Sequence, residues 1–82
     1  MAVVIPFPQA RRRRFVIGQA ESMACRSPTA GEEHLRRHLR VQAETLLRKG
    51  VAPALVEAEM RSLENAIRAE LWRLVLTPEG AA

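Results

Sequence analysis

Apolar residues recur at helical spacing over two long stretches in the second half of the chain, with charged residues between them. The first stripe comprises Leu35, Leu39, Ala43 and Leu46, and the second comprises Val56, Met60, Leu63, Ile67, Leu71 and Leu74. Intervals of three and four residues bring these side chains onto one face of an α-helix. Glutamates also precede arginines by four residues, an order that favours a solvated helix, in five pairs: Glu32 and Arg36, Glu33 and Arg37, Glu44 and Arg48, Glu57 and Arg61, Glu64 and Arg68. The pattern predicts two amphipathic helices, over residues 30–49 and 53–76.

Residues at the ends of these stretches favour helix starts and stops. Thr29, with Glu32 three residues later, has the spacing of a capping box at the first helix start. Gly50 follows two basic residues and is typical of a helix stop, while Pro53 suits the first turn of the next helix. Because only residues 50–52 separate the two helices, we predict that they fold back on each other as an antiparallel hairpin.

The beginning of the chain has a different character. Residues 1–8 combine β-branched residues with two prolines, which favour extended backbone, so we predict an extended N-terminal arm. A short helix is predicted over residues 9–25, and residues 77–82 are expected to fray after Pro78. The expected fold is all-α, with the arm, one short helix and the long hairpin, and residues 9–76 form a single helical domain.

The last turns of the third helix lack a polar side. Up to Ile67 the apolar side chains share one arc, whereas the residues that follow surround the helix, namely Leu71, Trp72, Leu74, Val75 and Leu76. A helix that is apolar on every side needs covering on every side, and one neighbouring helix covers only one. Either the arm and first helix fold over this end, or another protein does.

The charge distribution separates the arm from the hairpin. The net charge is +4, and residues 1–28 carry all of the excess, with five arginines against Glu21. Consecutive arginines at Arg11, Arg12, Arg13 and Arg14 could bind phosphates of nucleic acids or lipid head groups. Successive helical residues point in different directions, however, and no aromatic stacking platform accompanies them. The alternative is a solvated basic segment that aids solubility or pairs with an acidic partner.

Few residues have the spacing of a catalytic or metal site. His34 and His38 lie four residues apart, but the glutamate of a helical zinc protease and a third ligand are missing, so we interpret them as rim residues beside the core. Cys25 is expected to be a small buried residue because no histidine adjoins it. The chain contains no aspartate and no glycine-rich phosphate loop. We therefore expect no enzymatic activity and no cofactor.

Several blocks together resemble a known family. These are Val-Ile-Pro-Phe-Pro-x-Ala-Arg-Arg at 4–12, Phe-Val at 15–16, the segment 39–46 and the segment 66–72. The chain is similar over about residues 3–76 to short alphaproteobacterial proteins known only as a domain of unknown function. The resemblance implies a small cytoplasmic bacterial protein and carries no activity, cofactor or site residue. The apolar runs are also too short for a membrane span, so a cytoplasmic location is expected.

The functional hypothesis follows from the unpartnered apolar surfaces. We predict a small non-catalytic interaction or adaptor protein, self-associating as a homodimer through the apolar end of the third helix and docking a protein partner of unknown identity through its arm. The predicted partner-binding residues are Val4, Ile5, Phe7, Leu71, Trp72 and Val75. The alternative is a DNA- or RNA-associated regulator that uses Arg11–Arg14.

Overall fold

Helices are the only regular secondary structure among residues 4–76, the part of the chain that the computed structural model describes. A 3₁₀ turn at Gln9–Arg11 precedes three α-helices: α1 at Arg13–Ala24, α2 at Pro28–Arg48 and α3 at Pro53–Leu76. The predicted all-α class with three helices is confirmed. The predictions for residues 1–3 of the arm and for the frayed tail at 77–82 lie outside the described residues.

The structure divides the predicted first helix at Arg12. This residue has φ −78° and ψ 74°, outside the helical region, and α1 begins immediately after it. Its guanidinium donates hydrogen bonds to the side-chain oxygens of Gln9, at 2.9 Å, and of Gln42 on α2, at 2.8 Å. Arg12 therefore fastens the turn between the arm and α1 to the neighbouring helix.

The second helix begins earlier than expected. Ser27 has extended backbone angles and its side chain accepts a hydrogen bond from the backbone N–H of Ala30, so Ser27 is the N-cap and the prediction of Thr29 is wrong. Pro28 explains the difference, since its fixed φ and missing N–H suit the first helical position and leave the cap to the preceding residue.

The predicted stop at Gly50 is confirmed. Gly50 has a φ of +92°, the left-handed conformation that glycine tolerates best. Its N–H donates to the carbonyl of Leu47, and the N–H of Val51 donates to the carbonyl of Leu46, the paired bonds of a Schellman motif. Val51 then packs with Leu46 and Val56 in a small apolar cluster that closes this end of the molecule.

The main core lies where the three helices meet. Its buried residues come from all of them: Val16, Ala20 and Met23 of α1, Leu35 of α2, and Leu63 and Ile67 of α3. Contacts along the chain give the relative directions. The beginning of α2 lies beside the later part of α3, where Glu32 contacts Arg68, and the end of α2 lies beside the beginning of α3, where Leu46 packs with Val56.

Candidate interaction surfaces

The last turns of α3 carry large exposed apolar side chains. Trp72, Val75 and Leu76 are each more than 60% exposed. Leu71 and Leu74 are half-buried because they pack against the core to which α1 contributes. A groove of about 250 Å³ runs beside Trp72, lined by Arg68, Leu71, Trp72 and Val75. The first helix thus covers part of this end, and it leaves the indole in contact with solvent.

Another groove meets the groove beside Trp72 at Leu71 and Val75. It also measures about 250 Å³ and lies between the α1–α2 connection and α3, lined by Met23, Ala24, Arg26, Pro28, Gly31, Glu32, Leu71 and Val75. Gly31 allows the close approach of α1 and α2 here, since a Cβ at this position would lie 3.3 Å from the carbonyl oxygen of Met23. Leu71 and Val75 are therefore accessible from two sides, and the predicted residues Leu71, Trp72 and Val75 form one surface.

The arm lies at the opposite end of α3 from Trp72. The backbone N–H of Gln9 donates a hydrogen bond to the carboxylate of Glu59 at 2.8 Å. The side-chain amide of Gln9 donates a second hydrogen bond to the carbonyl of Phe7. Val4 lies near Gly50, within 4 Å of the position that a Cβ there would take. Residues 4–8 of the arm therefore do not cover Leu71–Leu76, so the interpretation in which this part of the arm folds over that end is wrong. Ile5 is 80% exposed and Phe7 55%.

The arginine cluster is divided between internal contacts and solvent. Arg12 places its guanidinium over the ring of Phe15, 4.3 Å from the centroid, in addition to its hydrogen bonds. Arg13 forms an ion pair with Glu70 at 3.3 Å. Arg11 and Arg14 are exposed and form no ion pair among residues 4–76. The four arginines therefore do not present a single phosphate-binding face, and two of them are available to a partner.

Glu70 is a buried carboxylate that is not among the functional residues predicted from the sequence. It is 5% exposed and accepts hydrogen bonds from Arg73 and Arg13. The hydrogen bond from Arg73 holds the pKa of Glu70 below its ordinary value, against the effect of burial, and Arg13 contributes in the same direction. The helical spacing indicates that Glu70 is buried, because Glu70 lies on the same face of α3 as Leu63 and Ile67.

The predicted Glu–Arg pairs are mostly not formed. Of the five, only Glu64 and Arg68 make an ion pair within the described residues. Arg68 also donates two hydrogen bonds of 2.8 Å to Glu32, which links α2 to α3. The hydrogen bond from Arg68 lowers the pKa of Glu32, and the carboxylate of Glu32 in turn raises the pKa of Arg68. Glu32 therefore pairs with Arg68 of the adjacent helix and not with Arg36, the partner predicted from the spacing along α2.

The histidine pair lies beside the core. His34 is buried and its Nε2 lies 2.7 Å from the side-chain oxygen of Gln19 on α1, while its ring centroid is 4.3 Å from that of His38. Burial lowers the pKa of His34, and the charges of His38, Arg26 and Arg37 lower it further. Among residues 4–76, histidine, cysteine and acidic residues form no group of three that could hold a metal ion.

Cys25 occupies a different environment from the one predicted. Its thiol is free and exposed at the end of α1, so the expectation of a buried residue is wrong. Residues 24–29, which follow the buried Met23, are all exposed, so the connection to α2 that contains Cys25 lies outside the core.

None of the helices in residues 4–76 combines the length and apolar composition needed to cross a membrane.

Comparison with other proteins gives a family and no assigned activity. Neither the curated proteins nor the solved structures include a match to this chain. A family model described as "Family of unknown function (DUF6074)" matches residues 1–82. The chain therefore belongs to this family of unknown function, DUF6074.

Proposed function

We propose that this chain is a small non-catalytic interaction protein that self-associates through the apolar end of α3. The observation that carries the proposal is the exposure of Trp72 and Val75 beside the groove at Leu71. Contiguous apolar surface next to a concave groove is typical of protein interaction sites, and tryptophan is enriched among residues that dominate binding energies. A chain of this length also buries only about 60% of its unfolded surface, so an additional buried area stabilises it.

The second part of the proposal concerns the arm. In this proposal α2 and α3 act as an antiparallel hairpin scaffold, and an extended arm docks a protein partner through Val4, Ile5 and Phe7. Its exposed Ile5 and Phe7 side chains are held on a short segment fastened by Gln9 and Arg12. A segment that is already positioned loses less conformational entropy on binding.

A matched pair of valines tests the self-association. Val75 and Val41 are both exposed, but Val41 lies on α2 and lines none of the grooves described above. We expect Val75→Ala to weaken dimerisation, Trp72→Ala to weaken it roughly tenfold or more, and Val41→Ala to leave it unchanged, as measured by sedimentation equilibrium. A wild-type chain that stays monomeric at high concentration, with the fluorescence of a hydrated indole, would contradict the proposal.

Truncation and substitution test the arm. We expect a partner from the native cell to co-purify with the full chain and to be lost from Phe7→Ala and from a chain that begins at Gln9. Retention of the same partner by both variants would rule out the arm as its docking site.

Nucleic-acid binding is the alternative proposal, and it depends on Arg11 and Arg14. Phosphate contacts would make the logarithm of the affinity fall linearly with the logarithm of the salt concentration. Replacing both arginines by alanine would abolish such binding. If wild type does not bind nucleic acid at low salt, or if the double variant binds as tightly as wild type, the regulator hypothesis is wrong.

A further inference from the structure

Three contiguous grooves lie on the side of α2 and α3 that is directed away from α1. The first is the groove beside Trp72. The second, of about 210 Å³, is lined by Glu32, Leu35, Arg36, Leu39, Glu64 and Arg68, and the third, of about 440 Å³, is lined by Ala43, Leu47, Pro53, Val56, Glu57, Met60, Arg61 and Glu64. Neighbouring grooves share Arg68 or Glu64, and no residue of α1 lines any of them. We call this surface the open face.

Negative and positive charges of α3 alternate along the open face. Glu57, Arg61, Glu64, Arg68 and Trp72 fall within an arc of about 80° at 3.6 residues per turn. The two signs therefore alternate along one line, and Trp72 continues that line at its end. Glu57 and Arg61 are exposed and form no ion pair among the described residues.

We infer that the open face binds the open face of a second copy, with the two α3 helices antiparallel and Arg61 of each copy opposite Glu64 of the other. This deepens the proposed self-association and rests on it. In this register Glu57 of each copy also lies opposite Arg68 of the other. The sequence of α3 is therefore complementary in charge to its own reverse, as a two-fold symmetric interface requires.

The same register places the indole at an apolar groove. Trp72 of one copy lies opposite Pro53 of the other, at the edge of the third groove, which also contains Leu47 and Val56. Helical side chains lean toward the N-terminus of their own helix, which in an antiparallel pair directs the indole toward Val56. The apolar surface exposed at one end of α3 thus meets the apolar groove at its other end.

The size of the open face fits such an interface. From Glu57 to Val75, α3 is about 27 Å long, and two adjacent helices are about 20 Å wide. The resulting surface is of the same order as the roughly 800 Å² that each partner of a stable complex buries. The open face carries equal numbers of acidic and basic residues. Two copies can therefore pair their charges with each other and need no third charged molecule.

Reversing charges one at a time tests the register. In an Arg61→Glu homodimer, the new glutamate of each copy lies opposite Glu64 of the other. In a Glu64→Arg homodimer, the new arginine of each copy lies opposite Arg61 of the other. We expect each variant alone to dimerise at least about tenfold more weakly than wild type at low salt. An equimolar mixture restores opposite signs at both contacts, so we expect the mixed dimer to regain an affinity within a few-fold of wild type.

Controls separate the interface from the fold. Arg40→Glu reverses an exposed charge on α2 that lines none of the three grooves, and we expect it to dimerise like wild type. Should Glu64→Arg fail to fold because Arg68 loses its neighbour, Glu57→Arg serves as the second variant. It opposes Arg68 of the second copy, and we expect it to weaken the dimer as Arg61→Glu does, with Glu44→Arg as its control.

The outcomes distinguish this inference from the proposal beneath it. Unchanged dimerisation of Arg61→Glu, or absence of recovery in the mixture, overturns the antiparallel register, and the self-association through Trp72 stands if Trp72→Ala still dissociates the dimer. A monomeric wild type overturns both. Loss of dimerisation in each variant and its recovery only in the mixture support the register.

Discussion

Charged residues differ in their exposure to water between the two sides of α3. One side faces α1 and is called the covered side, and the other belongs to the open face. On the covered side, Glu70 is buried and held by two arginines. On the open face, Glu32, Glu64 and Arg68 form a network whose side chains are each about two-fifths exposed. A carboxylate removed from water requires its hydrogen-bond partners, whereas an exposed one can exchange them for water.

This difference shows that helical position alone does not give the role of a charge. Glu64 and Glu70 lie on the same helix, and both accept hydrogen bonds from arginines. What separates them is the presence of α1, which covers one side of α3 and leaves the other to water or to a partner. If the proposed self-association occurs, we expect it to change the surroundings of Glu64 more than those of Glu70.

Removing apolar volume from the covered side has the largest expected effect on folding. Leu63 is fully buried among residues from all three helices. We expect Leu63→Ala to lower the free energy of unfolding by about 2–5 kcal/mol, because it loses buried area and leaves a cavity. Leu55→Ala, at an exposed position of the same helix, is the control for urea denaturation. Equal losses in the two variants would mean that the covered side is not the core.

Neutralising the buried carboxylate has the next largest effect. Because the pKa of Glu70 is lowered by folding, its contribution to stability is present above the ordinary value of 4.5 and is lost as the pH falls through the lower folded value. We expect Glu70→Gln to lower the denaturation midpoint at neutral pH and to make stability depend less on pH in this acidic range. Glu44→Gln, at an exposed position that forms no ion pair among residues 4–76 and lines none of the grooves, is the matched control. A mutant with the acid sensitivity of wild type would contradict this assignment.

Breaking the network on the open face has the smallest expected effect. Glu32 and Arg68 are both partly hydrated, so we expect Glu32→Gln to lower the free energy of unfolding by about 1 kcal/mol or less. The loss should shrink as salt screens the pair. Thermal unfolding of Glu32→Gln and wild type at low and high salt measures it at a fixed protein concentration. A larger loss that persists at high salt would show that the open face is as closed as the covered side.

Local signals predicted the elements more successfully than the contacts. Gly50 ends α2 as expected because only glycine adopts its backbone angles without strain. Thr29 failed as a cap because Pro28 competes for the neighbouring position. Glu32 was assigned to Arg36 by spacing, but Arg68 from the adjacent helix reaches it with two hydrogen bonds. Spacing describes neighbours on one helix and contains no information about which helix lies alongside.

The sequence by itself determined the three helices, the stop between the second and third, and the apolar excess around Trp72, since these depend on residues within a few positions of one another. The tertiary structure decided which sides of those helices are covered. It placed the arm at Glu59 and away from Trp72, and it buried Glu70 beneath α1. These outcomes depend on contacts between residues far apart in the chain, which helical periodicity does not specify.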